Sequence, residues 1–594
     1  MQPIVHTLRI TDQGLPALRF VLTQAVSAGS LLRVRTDCLP PLYRVEVDRV
    51  SVGGVELPIL RRMTEADHRD RFRWATIVCS LAVFKAECDL PIGAEVTVEL
   101  LPQVWSVWFF KPGVLTPLGG STWGFELGVV PDIESELFTP IAEPVAFHLL
   151  PSEPDHLEAY RKLDGQLIVK RFDQCGNPVG DGELAAEASL EQGSGQVHIK
   201  DVRGQTGLSN ALPVGMDDTP VFFGEFHWHC EFSNDGERKL EDALKSARDD
   251  FGLDFAGPAD HISYPYACYR SEEFTPARQA EICRRFDEVG RFITLPGAEL
   301  SGRFGHCNLH ADSWETFLKL WPKIGEKLHA AWVKYPFGYP LRELADLGPK
   351  GRTLVIPHHT NTDSYISDGV YREDGLPFWC AMHYPVPPVY NALRLIEMNQ
   401  GRGSYETEAL DPKWHVRHGG FGGSVTTALT RGYRVGFVAG TDNHNGWPTR
   451  GHDGLPAGVT GVQADSLDLK SIFKALHDRR CYATTGARIV ADATLNGYPI
   501  GSEQRLPPGA PRQFRISLRG TASWECVQII HCGAVLADLP IEKDTLDFAA
   551  TYEDTRPGRP LEDAWYYIKA RQTNGHCIWL SPFWVDLEGE PALR

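Results

Sequence analysis

Residues 223–236 read FGEFHWHCEFSNDG. An apolar run ends in His227 and His229, which stand two positions apart. On a strand, residues i and i+2 point to the same face, so both imidazoles can reach one metal ion. Taken alone, His-x-His is equally compatible with a strand that carries two surface histidines. Glu231 and Asp235, followed by Gly236, add carboxylates close by and favour the metal reading.

Four further pieces repeat this construction. GPADHIS offers Asp260 and His261; LPGAELSGRFGHCNLH offers Glu299, His306 and His310; VIPHHTN offers His358 and His359; VAGTDNHNGWPTR offers Asp442 and His444. Each group follows the apolar run of a strand-like segment. In barrels and open α/β sheets, the carboxyl ends of the strands face one side, and that side holds the site. Histidines mixed with Asp and Glu, without Cys₄ spacing, suit Zn, Mn or Fe in a catalytic rather than a structural site.

Strand-like and helix-like text alternates around these pieces. Residues 221–226, 253–260, 292–300, 353–357, 393–398 and 434–440 read as short buried strands. Residues 237–250, 275–290, 314–333 and 467–479 read as helices. Such alternation predicts an α/β domain with a parallel sheet or barrel. Residues 1–210 read as an all-β domain, with strand-like segments at 31–35, 43–47, 75–83 and 95–101 and scarce helix periodicity. From residue 489 to 594 strand-like runs return, predicting a second, smaller β-sandwich. The expected division is therefore 1–210, 211–488 and 489–594.

A chain of 594 residues is too long for a single core, which agrees with several domains. The formal net charge of -18, with no Lys/Arg-rich run, argues against nucleic acid and anionic membranes as partners. No run of eighteen apolar residues occurs, and the first twenty residues lack a basic region followed by an apolar stretch. The 13 cysteines are scattered, odd in number and without a C-x-x-C pair, which predicts reduced thiols and a cytoplasmic setting.

The order His-x-His, Asp-His, Glu, His, His, Asp-x-His resembles the PHP superfamily, named for polymerase and histidinol phosphatase domains. FGEFHWHCEFSNDG followed by GLDFAGPADH is similar to that family's opening pattern Gly-Asp-Leu-His-x-His-Thr…Ser-Asp-Gly followed by Thr-Asp-His. PGAELSGRFGHCN, IPHHTN, GFVAGTDNH, RRCYATTGARI and the terminal WLSPFWV look like a branch near the carbaryl-hydrolase-like metallohydrolases. The resemblance implies a distorted (β/α)₇ barrel, flanked here by the two β domains, that holds two or three divalent metals. It implies that His227 and His229 bind one metal, that Glu299 bridges two, and that His261 and His306 bind the partner. His358, Asp442 and His444 would complete the set, with His359 competing for the place of His358. Asp235 is a possible extra ligand by the same resemblance; Glu225 stands where the family has Asp, Cys230 and Ala259 replace threonines, and Asn234 reads as an insertion that disturbs Asp235 in that role.

The implied chemistry is hydrolysis of a phosphoester or a carboxyl or carbamate ester by metal-activated water. Asp260 or an unligated histidine such as His310 could move the proton. Arg303, Arg402, Arg450 and Arg488 suit an anionic small-molecule substrate. Tyr405, Trp447, Tyr264 and Tyr266 could form an aromatic wall or belong to the core. Two other readings compete: a metal-dependent lyase on the same scaffold, and a binding protein with a dead barrel whose β-sandwiches are the working parts.

Overall fold

A computed structural model describes residues 4–9, 17–36, 43–44, 47–62, 79–100, 105–106, 122–135, 137–151, 153–173, 176–180, 187–190, 195–233, 236, 238–262, 274–300, 306–334, 348–361, 382, 384, 388, 392–417, 422–451, 456–556 and 564–587. Asp235, Tyr264, Tyr266 and Arg303 lie outside them. The chain divides into two compact units. One comprises residues 1–155, 172–180 and 234–238, and the other holds the remainder, with the middle and C-terminal regions together.

The first unit is built of strands. Leu31–Thr36, Cys79–Lys85, Thr122–Val130 and Val145–Leu150 belong to one sheet, and Leu18–Val21, Val47–Val52 and Glu95–Leu100 to another. The period-2 text of these segments explains their state. Glu95–Leu100, EVTVEL, buries Val96, Val98 and Leu100 and turns the intervening residues outward. Phe20, Val34, Val50, Phe84, Phe125 and Phe147 meet in the shared core.

In the second unit the elements that carry the site are labelled in chain order. The strands are β1 (Val221–Trp228), β2 (Phe255–Pro258), β3 (Gly297–Leu300), β4 (His306–Ala311), β5 (Thr353–His358), β6 (Leu395–Gln400), β7 (Gly436–Ala439), β8 (Val459–Gln463) and β9 (Cys481–Thr484). The helices are α1 (Leu240–Asp249), α2 (Pro276–Arg284), α3 (Trp314–Lys334) and α4 (Leu469–His477). Local chemistry sets their ends. Thr275 caps α2 by accepting the Arg278 N–H, with Pro276 in the first turn, and Asp468 caps α4 by accepting the Ser471 N–H. Helix α1 buries Leu240, Ala243, Leu244 and Ala247, the i, i+3, i+4, i+7 stripe of an amphipathic helix.

The expectation of strands alternating with helices holds only in part, and the unit is richer in sheet. Strands β1 and β2 pair in parallel, as do β6 and β7. Strand β4, however, runs antiparallel to both β3 and β5. The cause is legible in HCNLHA. His306, Asn308 and His310 alternate with Cys307, Leu309 and Ala311, a period of two where a crossover helix would need 3.6. Strand β8 is antiparallel to β1 and to β9, and β9 pairs with Cys577–Leu580, so one 11-stranded sheet continues into the C-terminal strands. The four-stranded sheet containing Val490–Leu495, Arg512–Arg519 and Asp547–Asp554 buries Ile516 and Leu518 with Val527, Ile529 and Ile568 in a common core. Among the described residues, no helix is long and apolar enough to cross a membrane.

Main-chain contacts bring the ends of the strands together. Glu299 at the end of β3 bridges in parallel to His261, just past β2. The residues after β7 reach β1, where the Asp442 N–H donates to the His227 carbonyl at 2.7 Å and Trp228 bridges Asn443. Register places His306 directly opposite His358 and Glu299 opposite Asn308. The five pieces of the sequence pattern thereby reach one place.

Candidate metal centre

Two carboxylates organise the centre. Glu299 Oε2 lies 3.5 Å from His227 Nε2 and 3.2 Å from His229 Nε2. Asp442 Oδ1 repeats both distances, 3.5 Å and 3.2 Å. Four ligand atoms about 2.1 Å from one ion in tetrahedral arrangement stand about 3.4 Å apart, so these four atoms have the spacing of a single cation site. His227, His229, Glu299 and Asp442 are all buried, and their ligand atoms lie within 4.8 Å of one another.

The other oxygen of Glu299 faces a second set. Oε1 lies 2.5 Å from His306 Nδ1, 3.3 Å from His358 Nε2 and 3.5 Å from His261 Nδ1. One carboxylate thus presents one oxygen to each set, which is the geometry of a bridging ligand. Three further groups are cation-capable: His306, His358 and His359; His229, His261 and His444; and His227, His358 and Glu397. His444 stacks on His229 with centroids 4.1 Å apart. His358 is directed to Glu299, whereas His359 contacts Asp442 Oδ2. His359 and Asp442 have positive φ values of 48° and 52°, a strained conformation for side chains of this size.

Neighbouring groups fix the imidazoles. His227 Nδ1 lies 2.7 Å from Glu397 Oε2, and His229 Nδ1 lies 3.1 Å from Ser233 Oγ. Both rings therefore turn Nε2 to the Glu299–Asp442 pair, as metal-binding histidines do when a partner holds the other nitrogen. Glu225 Oε1 accepts from the backbone N–H of His227 at 2.9 Å and of Thr441 at 3.0 Å. Glu225 thus ties the first and last pieces together.

Electrostatics follow from this crowding. Burial pushes the Glu299 carboxyl up, but the imidazoles of His261, His358 and His306 carry it well below the usual range. Burial pulls His227 down, yet Glu397 and Asp442 raise it well above an ordinary histidine. His229 rises to about 10 against its own burial because Asp442 and Glu299 hydrogen-bond to it. The carboxylate pair makes the centre a strong competitor for positive charge, which suits the donor set to a divalent cation.

Asp260 is committed elsewhere. Its Oδ1 accepts from Cys230 N at 2.7 Å and Ser233 N at 3.1 Å, and its Oδ2 accepts from Cys230 Sγ at 3.1 Å. Cys230 thereby donates to Asp260 through both its backbone N–H and its thiol. His310 belongs to none of the cation-capable groups found among the described residues. It sits edge-on to Phe226 at 5.1 Å, and its burial lowers it to about 3, so it is neutral.

Of the arginines, Arg402 reaches the centre. Its guanidinium touches Asp442 Oδ2 and lies 3.2 Å from His359 Nε2 and 2.9 Å from Gln400 Oε1. Tyr405 is buried beside His359, with ring centroids 6.5 Å apart. Arg450 and Arg488 take a structural place instead of the expected substrate-facing one. Arg450 is 2% exposed and donates to Glu158 at 2.7 Å, and Arg488 donates to the Phe251 carbonyl at 2.6 Å and lies over Tyr160. Trp447 packs edge-on to Phe251 in the same cluster. Glu397, Ser233 and Gln400 are absent from the sequence-based expectation. The one usable signal was Glu397, an acidic residue inside the buried-type run LRLIEM, since buried charges require partners.

No protein-family model matches the chain. A curated uncharacterized protein of Chlamydia muridarum is 28% identical over 387 residues, which cover 62% of this chain and 58% of that protein. One from Chlamydia pneumoniae is 26% identical over 415 residues, covering 64% and 60%. The chain therefore spans less than two thirds of the length of these relatives. Among solved structures, a two-domain protein from Bacteroides vulgatus, described as containing a predicted PHP-like metal-dependent phosphoesterase, is 13% identical. The match covers 60% of this chain and 92% of that one, with a TM-score of 0.29.

Proposed function

We propose that the chain is a metal-dependent hydrolase of an ester-type bond in an anionic small molecule, a phosphoester or a carboxyl or carbamate ester. The observation that carries this reading is the placement of Glu299, with one oxygen toward His227 and His229 and the other toward His261, His306 and His358. In this reading His227, His229, Glu299 and Asp442 hold one divalent ion, of Mn, Zn or Fe type. His261, His306 and His358 hold a second on the far side of Glu299, and His444 and His359 stand at the edges for a third. Asp235 remains a further ligand in this proposal. The ions, when bound, lower the pKa of water and polarise the scissile bond.

The protein's own groups do the rest. Burial of the set, with His261 alone half-buried, holds most bulk water away and strengthens the charge interactions inside it. Arg402, set between Asp442 and His359, is placed to receive an anionic oxygen of the substrate, with Tyr405 behind it. Arg303 is proposed as a second anion contact. Asp260 holds the Cys230–Ser233 turn and so acts on His229 indirectly. The closing contacts of β1 with the segment after β7 favour a distorted (β/α)₇ barrel of the PHP type around the centre. The scattered reduced cysteines favour a cytoplasmic setting.

The test is a hydrolysis panel on Mn- or Zn-loaded protein. A phosphodiester, a phosphomonoester, a carboxyl ester and an N-methylcarbamate of one chromophore are compared, with His227→Ala alongside. Turnover of one class that disappears in the variant is expected. Turnover that survives unchanged in the variant would remove the centre from the chemistry.

A further inference from the structure

Beneath the centre lies a second pair of carboxylates, Glu225 and Glu397, on β1 and β6. Both are buried, at 0% and 1% exposure. They flank Gly440: a Cβ there would stand 3.2 Å from Glu225 Oε1, 3.2 Å from Glu397 Oε1 and 2.5 Å from His227 Cβ. Glu225 spends one oxygen on backbone N–H groups, those of His227 and Thr441. Glu397 addresses the imidazole itself, through the 2.7 Å contact between Oε2 and His227 Nδ1.

At 2.7 Å, Nδ1 and Oε2 are well placed for an N–H···O hydrogen bond. His227, His358 and Glu397 also bring ligand atoms within 4.8 Å of one another, so which nitrogen of His227 meets the ion separates a positioning role for Glu397 from a ligand role. The opposite nitrogen, Nε2, has the wider spacing of a ligand, 3.5 Å to Glu299 and to Asp442. The two ends of one ring thus carry two different geometries.

We infer that Glu397 is a positioning residue of the metal centre, which accepts the Nδ1 proton of His227 and so commits its Nε2 to the ion. This rests on the metal reading above and adds a residue to it. In this role Glu397 contacts neither substrate nor ion. It selects the tautomer and orientation of a ligand, and the cost of losing such a partner is about 10–100-fold in metal affinity.

Two substitutions separate the hydrogen bond from the charge. Glu397→Asp keeps the charge and withdraws the acceptor by one methylene. Glu397→Gln removes the charge and keeps an acceptor oxygen in reach. The whole 594-residue chain, labelled with ¹⁵N-histidine, is loaded with ¹¹³Cd. Affinity is read by chelator competition, and the cadmium-bound nitrogen of His227 by ¹¹³Cd–¹⁵N coupling. Wild-type protein is expected to show coupling at Nε2 and a proton on Nδ1. The Asp variant is expected to lose about 10–100-fold in affinity together with the defined Nδ1–H signal. The Gln variant is expected to keep the signal and to lose less than the Asp variant. An Asp variant with wild-type affinity and an unchanged His227 signal would overturn the inference, as would equal losses in both variants. Wild-type protein that takes up no cadmium would sink the metal reading itself, so the two failures are distinguishable.

Discussion

Glu299 and Asp442 approach the same two imidazole nitrogens at identical distances, 3.5 Å to His227 Nε2 and 3.2 Å to His229 Nε2. They differ in what their second oxygens meet. That of Glu299 faces three more histidines, whereas that of Asp442 faces His359, Gln400 and Arg402. A bridging carboxylate belongs to two ions and a terminal one to a single ion. Glu299→Gln is therefore expected to lose more metal equivalents than Asp442→Asn. Elemental analysis of the folded, metal-saturated variants checks this; equal stoichiometry in the two would remove the bridging role from Glu299.

Asp260 provides a second, contrary expectation. A carboxylate that moved protons would leave its mark on the pH–rate profile. Here its oxygens accept from Cys230 N, Ser233 N and Cys230 Sγ, and Gln279 Nε2 lies 3.4 Å away. Asp260→Asn sets an amide nitrogen against one of these donors. The expected result is a loss of about 1–3 kcal/mol in stability with the shape of the pH profile retained. Denaturant melts and rate profiles on the same preparation decide it. A missing limb in the profile, with stability intact, would return Asp260 to proton transfer.

The reach of the sequence is uneven for physical reasons. His227 and His229 were legible because a spacing of two on a strand has one geometric meaning. The antiparallel place of His306–Ala311 was written in its alternation, but the run is short and lay inside a motif read for its ligands. Glu397 was harder to see, since its partner His227 lies 170 positions away and only the meeting of β1 with β6 joins them. Arg450 illustrates the opposite error. It closely follows Asp442 and His444, and proximity in sequence suggested the site mouth. Its guanidinium instead turns to Glu158, 292 positions earlier. Side-chain direction at a loop is set by partners that no local pattern contains.

Arg450 and Glu158 carry a prediction for acid stability. Burial pushes the Glu158 carboxyl up, but the charge of Arg450, with hydrogen bonds from His156, Tyr160 and Arg450, outweighs it and leaves the group at about 2. A folded-state pKa below the unfolded one means stability that is present above the unfolded value, near 4.5, and lost as pH falls through about 2. Wild-type stability is expected to decline across that window. Arg450→Met leaves a half-buried carboxylate without its cation and is expected to cost roughly 1–3 kcal/mol at pH 7, with a shallower acid decline. Urea titrations from pH 7 to 2 measure both. A stable variant whose only defect is a raised KM for an anionic substrate would restore Arg450 to substrate binding.

Gly440 supplies the last prediction. It directly follows β7 and precedes the Thr441–His444 segment, and its missing side chain leaves room for His227 and for both buried glutamates. The carbonyl of Gly440 in turn lies 1.8 Å from where a Cβ on Gly458 would stand, so the backbone cannot retreat from an added methyl group without disturbing β8. Gly440→Ala must therefore push His227, whose Cβ would be only 2.5 Å away. Overpacking of this kind costs about 1–3 kcal/mol, and the displaced ring should also lose its hold on the cation. Thermal melts in the presence and absence of Zn are the measurement. The expected variant is less stable than wild type and gains less from added metal. A variant that gains as much from Zn as wild type does would show that the ring of His227 has freedom to move without loosening the centre.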